Sequence, residues 1–554
     1  MAGGARTFLQ ERVRKMRAVV IRALRRACVF VAFPSTVFGA NPYLPLWECI
    51  PDGEPHVFED PANPGRMRVY IYGSHDFSRT IYCGRDLVVW SAPVESPGKW
   101  RFDGVIFRSE KNANGDWVDG RRLADILYAP DVCMTKDAAG KKTYWLYPNN
   151  QGKKRNGMIA KSDRPDGPFA VCNWSRDDPD ATTGVLRFDP AVFVDDDGRV
   201  YGYWGFERSM AAELDPATMC TVKPGAQIVE DMVSGRSQLG VFRFFEASSM
   251  RKIKDKYVFI YSRWTKDGEF GLPDANSTLA YAYSDAPLGP WTYGGTVIDI
   301  RGREIIGGKT VATACPGGNT HGSLCEVNGR WYVFFHRQTG ESEYFRQAMV
   351  APVTIEVESG KGGKVKIGEA EVTSEGFEMD GLDPRELHPA GIASYFMHPE
   401  CVDDIRSKKR PRPYSTSGDN YGWENPYDAK VNLCRVANVF NGAVVGYKYF
   451  NFTNTHMVDG LKLKVGYFPQ GVDAHVEIWV RRPSAAEGGA KAGEFDVSAS
   501  EGVFGRSEAV VDVPRIAKAN GKEALFFVVS SPVKTRGVID FADLRFETVR
   551  RTRN

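Results

Sequence analysis

The chain has 554 residues, enough for two or three domains at about 150 residues each, although propellers exceed that size as single domains. Hydrophobic residues make up 42% and charged residues 25%, an ordinary globular balance. A formal net charge of +3 gives no electrostatic case for nucleic acid or a membrane surface, and ten scattered cysteines with no Cys-x-x-Cys pair give none for zinc or thioredoxin-like chemistry.

Residues 1–40 read as an extension. They are basic up to Arg25-Arg26 and apolar from 27 to 40, which is either a signal peptide or sequence upstream of a misassigned start. Pro34 and the long basic stretch argue against export. The expectation is a cytoplasmic protein with buried free thiols, and secretion is the alternative. No later segment is long and apolar enough to span a bilayer.

From residue 41 onward an internal repeat dominates. Five runs begin with a basic residue and continue with aromatic or β-branched ones: Arg68–Gly73, Lys142–Tyr147, Arg199–Trp204, Lys256–Tyr261 and Arg330–Phe335. Their starts are 74, 57, 57 and 74 residues apart. Each has the length and composition of a strand, and most follow a turn signal such as Asp197-Gly198 or Asn328-Gly329. A second apolar strand precedes each run. Five multi-strand repeats at this spacing predict an all-β fold, a five-bladed β-propeller over residues 41–380.

In a propeller the first strand of every blade lines the central channel, so the residues at its start meet at one mouth. Those positions hold Asp52, Ala129, Asp189, Glu246 and His321, which lie 16, 13, 10, 10 and 9 residues before the five runs. Taken singly, each has a plain reading: Asp52 and Asp189 as turn residues, Glu246 as a solvated strand end, His321 as a hydrogen-bonded structural histidine. Together, carboxylates converging on one aromatic-lined mouth repel one another and separate in pKa. Asp131, two residues past the start of its strand, is a further acid on the same face. Glycoside hydrolysis needs such a pair, one acid protonated to serve the leaving oxygen and one ionised to activate water.

These motifs resemble glycoside hydrolase family 43. The resemblance rests on Pro51-Asp52-Gly53-Glu54, Tyr128-Ala129-Pro130-Asp131, Phe188-Asp189-Pro190, Phe245-Glu246-Ala247-Ser248 and His321-Gly322-Ser323, in that order. It implies a five-bladed propeller and an inverting mechanism, with Asp52 as base, Glu246 as acid and Asp189 raising the pKa of Glu246 and orienting it. It also implies an arabinofuranosyl- or xylosyl-releasing exo-enzyme acting on plant-derived oligosaccharides; a fructosyl-active propeller and a non-catalytic glycan-binding propeller are the alternatives. The first motif has Asp-Gly-Glu where Asp-Pro-Ser is commoner, so Glu54 is a rival base. Asp131, His321 and Arg337 are the expected substrate-binding residues, with His336 and Arg346 nearby. No cofactor is required; a structural calcium near His321 is what some relatives suggest.

Beyond residue 380 the five-fold pattern ends. After the basic stretch 406–413, strand-like runs return without acids at repeated positions. They predict a β-sandwich (jelly roll) over 381–550 that resembles a family 6 carbohydrate-binding module, with strands near Ile392–Met397 joining it. Tyr447 is read there as either a sugar contact or core.

Overall fold

The aromatic runs lack the apolar–polar alternation of a strand with one wet face, and the structure shows why. In a computed structural model, which describes residues 39–549 apart from 79, 118–124, 315–317, 341, 398–411, 417–433, 454–459 and 504, each run is the second strand of a sheet buried on both sides. Val69 and Ile71 pack towards blade 5, whereas Tyr70 and Tyr72 pack towards blade 2. Tyr257, Phe259 and Tyr261 likewise face blade 3, and Val258 and Ile260 face blade 5. A side-chain period of two thus fills two interfaces from one strand.

Four antiparallel sheets of four strands succeed one another, beginning at Glu54–Glu59, Asp131–Lys136, Ala191–Val194 and Phe244–Ile253. The fifth sheet has three strands, Ser323–Val327, Arg330–Gln338 and Arg346–Pro352. Five separate apolar clusters lie between blades 1 and 2, 2 and 3, 3 and 4, 4 and 5, and 5 and 1. The first strands of neighbouring blades touch in the same cyclic order, so the ring is closed and the chain forms a five-bladed propeller. Residues 41–44 help close it. The Asn41 amide donates to the Val350 and Thr373 carbonyls at 2.6 and 3.1 Å, and Tyr43 and Leu44 enter the cluster between blades 5 and 1.

A β-sandwich follows. One sheet orders Tyr414–Ser415, Val436–Val439, Ile539–Val549, Gly460–Pro469 and Ser507–Asp512; the other orders Tyr395–Met397, Val444–Asn451, Lys522–Ser530, Ala474–Val480 and Ala490–Val497. Leu461, Leu463 and Val465 point into the shared core while Lys462 and Lys464 point out. The strand expected near Ile392–Met397 pairs with Val444–Gly446, as part of this sandwich. Tyr447 is fully buried in the core, which excludes it as an exposed sugar platform. The N-terminal extension up to residue 38 and most of the basic stretch 406–413 lie outside the described residues.

Candidate active site

The mouth residues are set by strand geometry. In an antiparallel pair the start of the first strand lies beside the end of the second, as Glu54 lies opposite Tyr72 and Glu246 opposite Ser262. Side chains just before the first strand of a blade therefore meet those just after its second.

Asp52 and Asp189 both precede a first strand and both have left-handed backbones, with φ of 58° and 43°. Such conformations are uncommon outside glycine and cluster at functional sites. Asp52 is buried and densely bonded. Its Oδ1 accepts from Arg346 Nη1 at 2.9 Å and its Oδ2 from the Ser74 hydroxyl at 2.5 Å. Its backbone N–H donates to His336 Nδ1 at 3.2 Å, which leaves the neutral imidazole proton on Nε2. Burial works to raise the Asp52 carboxyl, but the charge of Arg346 and the hydrogen bond from Ser74 outweigh it and hold it below the usual carboxylate range. Burial pushes His336 down to about 3.

Arg346 is itself clamped. It donates through Nε and Nη2 to the two oxygens of buried Asp76, each at 2.9 Å, so one guanidinium bridges two carboxylates.

Asp189 Oδ2 accepts the backbone N–H of Ala247 at 3.0 Å, and its Oδ1 accepts from the Asn149 amide at 2.9 Å. Ala247 follows Glu246, and Glu246 sits between two irregularities in strand pairing. Asp189 therefore grips the bulge that aims Glu246. Burial and the negative charge of Asp52 push Asp189 up to about 8. Glu246 is half-buried, and no described residue hydrogen-bonds its carboxyl. Burial, then the charges of Asp189 and Asp52, raise its pKa well above the usual range, with Arg346 opposing. The mouth thus holds one carboxylate biased to stay ionised and two biased to keep protons.

Of the other expected site residues, His321 joins the mouth, its Nδ1 lying 3.7 Å from Asp189 Oδ2. Burial lowers its pKa and keeps it neutral. Glu54 points down the channel. Its Oε1 lies 2.6 Å from Arg251 Nη2 and accepts from Ser249 Oγ at 2.9 Å, which occupies it away from Asp52. Asp131 is a tie between blades. Its Oδ1 meets His56 Nε2 at 3.0 Å and its Oδ2 accepts the Val192 N–H at 2.7 Å. Arg337 requires a correction. Next to His336 on one strand, it points to the opposite face. It donates to Gln347 at 2.9 and 3.0 Å and to the Gly391 and Ala393 carbonyls at 2.5 Å, fastening blade 5 to the sandwich.

Ser74, Asp76 and Asn149 were missed by sequence reasoning. The signal was available: each falls just after an aromatic run, at the end of a second strand.

The calcium expected near His321 meets an unsuitable donor set. Among the described residues, the propeller's one cluster of side chains close enough together to share a metal is Glu54, His56 and Asp131, and it does not include His321. Arg251 already supplies a cation to Glu54, and backbone N–H groups and His56 engage Asp131, which leaves too few free oxygens for a hard dication.

Residues 68–358 match the family model for glycosyl hydrolases family 43. The chain belongs to that family. A xylosidase/arabinosidase of Thermoclostridium stercorarium is 34% identical over 452 residues, covering 78% of this chain and 86% of the relative. A xylosidase/arabinosidase 43A of Humicola insolens is 30% identical over 333 residues, covering 51% and 86%. Among solved structures, a family 43 arabinoxylan arabinofuranohydrolase from Bacillus subtilis, in complex with cellotetraose, is 20% identical with a TM-score of 0.43, covering 92% of this chain and 97% of that one. As a family 43 member, the chain is a glycosidase.

Proposed function

We propose that this family 43 enzyme is an inverting, exo-acting hydrolase that releases terminal arabinofuranosyl or xylosyl residues from plant-derived oligosaccharides. The substrate class follows the names of the relatives. The observation that carries the mechanism is the opposed setting of the mouth carboxyls: Arg346 and Ser74 bond to Asp52 and favour its ionised form, whereas burial and Asp189 favour protonated Glu246.

In this reading Asp52 accepts a proton from water as the water oxygen attacks the anomeric carbon. The bond from that carbon to the glycosidic oxygen breaks, and Glu246 gives its proton to the departing oxygen. One displacement inverts the anomeric configuration. Asp189 touches neither water nor sugar; it raises the pKa of Glu246 by charge and positions it through the Ala247 N–H. His321 and Asn149 flank Asp189 and are the polar groups that would meet sugar hydroxyls beside it.

The test is hydrolysis of aryl α-L-arabinofuranosides and aryl β-D-xylosides by the purified, folded protein. Release from at least one is expected; release from neither contradicts the substrate class.

A further inference from the structure

Two of the groups that set Asp52 come from a stretch with no strand to hold it. Ser74, which donates to Asp52, and Asp76, which grips Arg346, lie within residues 73–78, beyond the end of the second strand of blade 1, Met67–Tyr72. The ladder bonds that fix that strand have ended there, so the placement of both groups needs other anchors. One is the Asp76 N–H, which donates to the Cys49 carbonyl at 3.0 Å. The residue between them, His75, reaches a different set of partners and suggests a second.

His75 is buried and meets a carboxylate at each ring nitrogen. Its Nδ1 lies 2.9 Å from Oδ1 of Asp86, the first residue of the third strand of blade 1 (Asp86–Pro93), and its Nε2 lies 3.3 Å from Oε1 of Glu48. Both carboxylates are buried and tied in turn. Glu48 Oε2 accepts from Trp90 Nε1 at 2.8 Å, and Arg108 Nη2 stands 3.4 Å from Asp86 Oδ2. Ionised carboxylates at both nitrogens call for a ring that donates from both, as only the imidazolium does. Burial works to lower the His75 pKa, but the hydrogen bonds to Asp86 and Glu48, and their charges, outweigh it and push it up to about 10. The ring thus ties the backbone between Ser74 and Asp76 to Glu48 on one side and to the third strand on the other.

We propose that His75 is a positioning residue for the base, a clamp bonded at both nitrogens that holds Ser74 and Asp76 where they fix Asp52 and Arg346. The inference rests on the proposed role of Asp52. His75 touches neither water nor sugar and acts only through its two neighbours in the chain. Shifting either neighbour loosens a hydrogen bond that favours ionised Asp52, directly at Ser74 and through Arg346 at Asp76. A base displaced by about 1 Å costs on the order of 10²-fold in rate. The clamp therefore sets the strength of the base as well as its place.

The test is His75→Gln, whose neutral amide reaches one of the two carboxylates and not both. On aryl glycosides with good and poor leaving groups alike, kcat falls about 10²-fold with KM little changed. The acid limb of kcat/KM moves up by about one pH unit, because Asp52 loses partners that favour its charge. Glu48→Gln, which leaves the Asp86 bond in place, shifts the limb the same way by less, and it decides the matter if His75→Gln does not fold. A crystal structure of His75→Gln shows the Ser74–Asp52 or the Asp76–Arg346 bond lengthened beyond about 3.5 Å. An acid limb that stays at the parent's value in the folded variants overturns the proposal, since lost stability alone does not move it. So does a loss confined to poor leaving groups, which would place the defect at Glu246, or a variant structure with both bonds intact. An enzyme that hydrolyses no glycoside refutes the proposed activity, and the crystal structures of parent and variant still decide the clamp.

Discussion

Asp52 and Glu246 share one mouth but are pushed in opposite directions, and the difference lies in their partners. Asp52 has an arginine, a hydroxyl and an imidazole around it; Glu246 has burial and two negative neighbours. The rate should therefore be bell-shaped in pH. The acid limb, set by Asp52, falls below the usual carboxylate range, and the alkaline limb, set by the Glu246–Asp189 pair, falls above it. A kcat/KM profile with both limbs at ordinary carboxylate values would contradict this assignment. Stability gives an independent reading. A carboxyl whose folded pKa is raised binds its proton more tightly folded than unfolded, so its contribution falls as pH rises through the unfolded value towards the folded one, by about 1.4 kcal/mol per pH unit. Glu246→Gln removes that loss. The variant should melt higher than the parent at pH 8 and by a smaller margin at pH 4; a margin that does not grow with pH would mean that Glu246 is not held protonated.

Strand pairing explains which of these residues the sequence disclosed. The aromatic runs stood out because each strand is buried on both faces, so every position in it is constrained. Asp52, Asp189, Glu246 and His321 stood out as equivalents at the repeat starts. Asp76, Asn149 and Ser74 did not, because they belong to strand ends, and Asp76 acquires its partner only when blade 5 closes against blade 1 and brings Arg346 beside it. Arg337 was misread because composition does not reveal strand parity, and one step from His336 reverses its direction. Gly322 shows the same constraint at the backbone. A Cβ there would lie 1.9 Å from the Phe334 carbonyl oxygen, so the first strand of blade 5 approaches its neighbour as only glycine allows. Gly322→Ala should cost about 2 kcal/mol or more in urea unfolding and displace His321, lowering activity as well. A variant with native stability and full activity would show that the strand can shift without consequence.

At the scale of the whole molecule, the sandwich is fastened to blade 5 and to the strands beside it. Arg337 reaches the Gly391 and Ala393 carbonyls, the Phe396 N–H donates to Thr313 at 2.6 Å, and buried Lys448 pairs with Glu304 and Glu371. Buried charges placed this way hold registration between surfaces more than they add stability. The repeat arithmetic revealed the propeller but could not reveal these ties, which join residues far apart in the chain with no periodic relation. The centre of the ring also carries its own cation. With Arg251 on Glu54, the melting temperature and activity should be the same with excess EDTA as with added calcium. A melting temperature that falls in EDTA and recovers with calcium would show a metal where Arg251 is argued to suffice.

The central claim is that Glu246 donates the proton and Asp52 activates the water. Its most direct test is the dependence of each variant on leaving-group acidity, measured with a series of aryl glycosides of the sugar that the enzyme accepts. Glu246→Gln should lose about 10²–10⁴-fold on glycosides with poor leaving groups and recover most of that on a dinitrophenyl glycoside, which needs no proton. Asp52→Asn should lose a similar factor across the whole series. Equal losses for Glu246→Gln at every leaving group, or activity surviving in Asp52→Asn, would contradict the account.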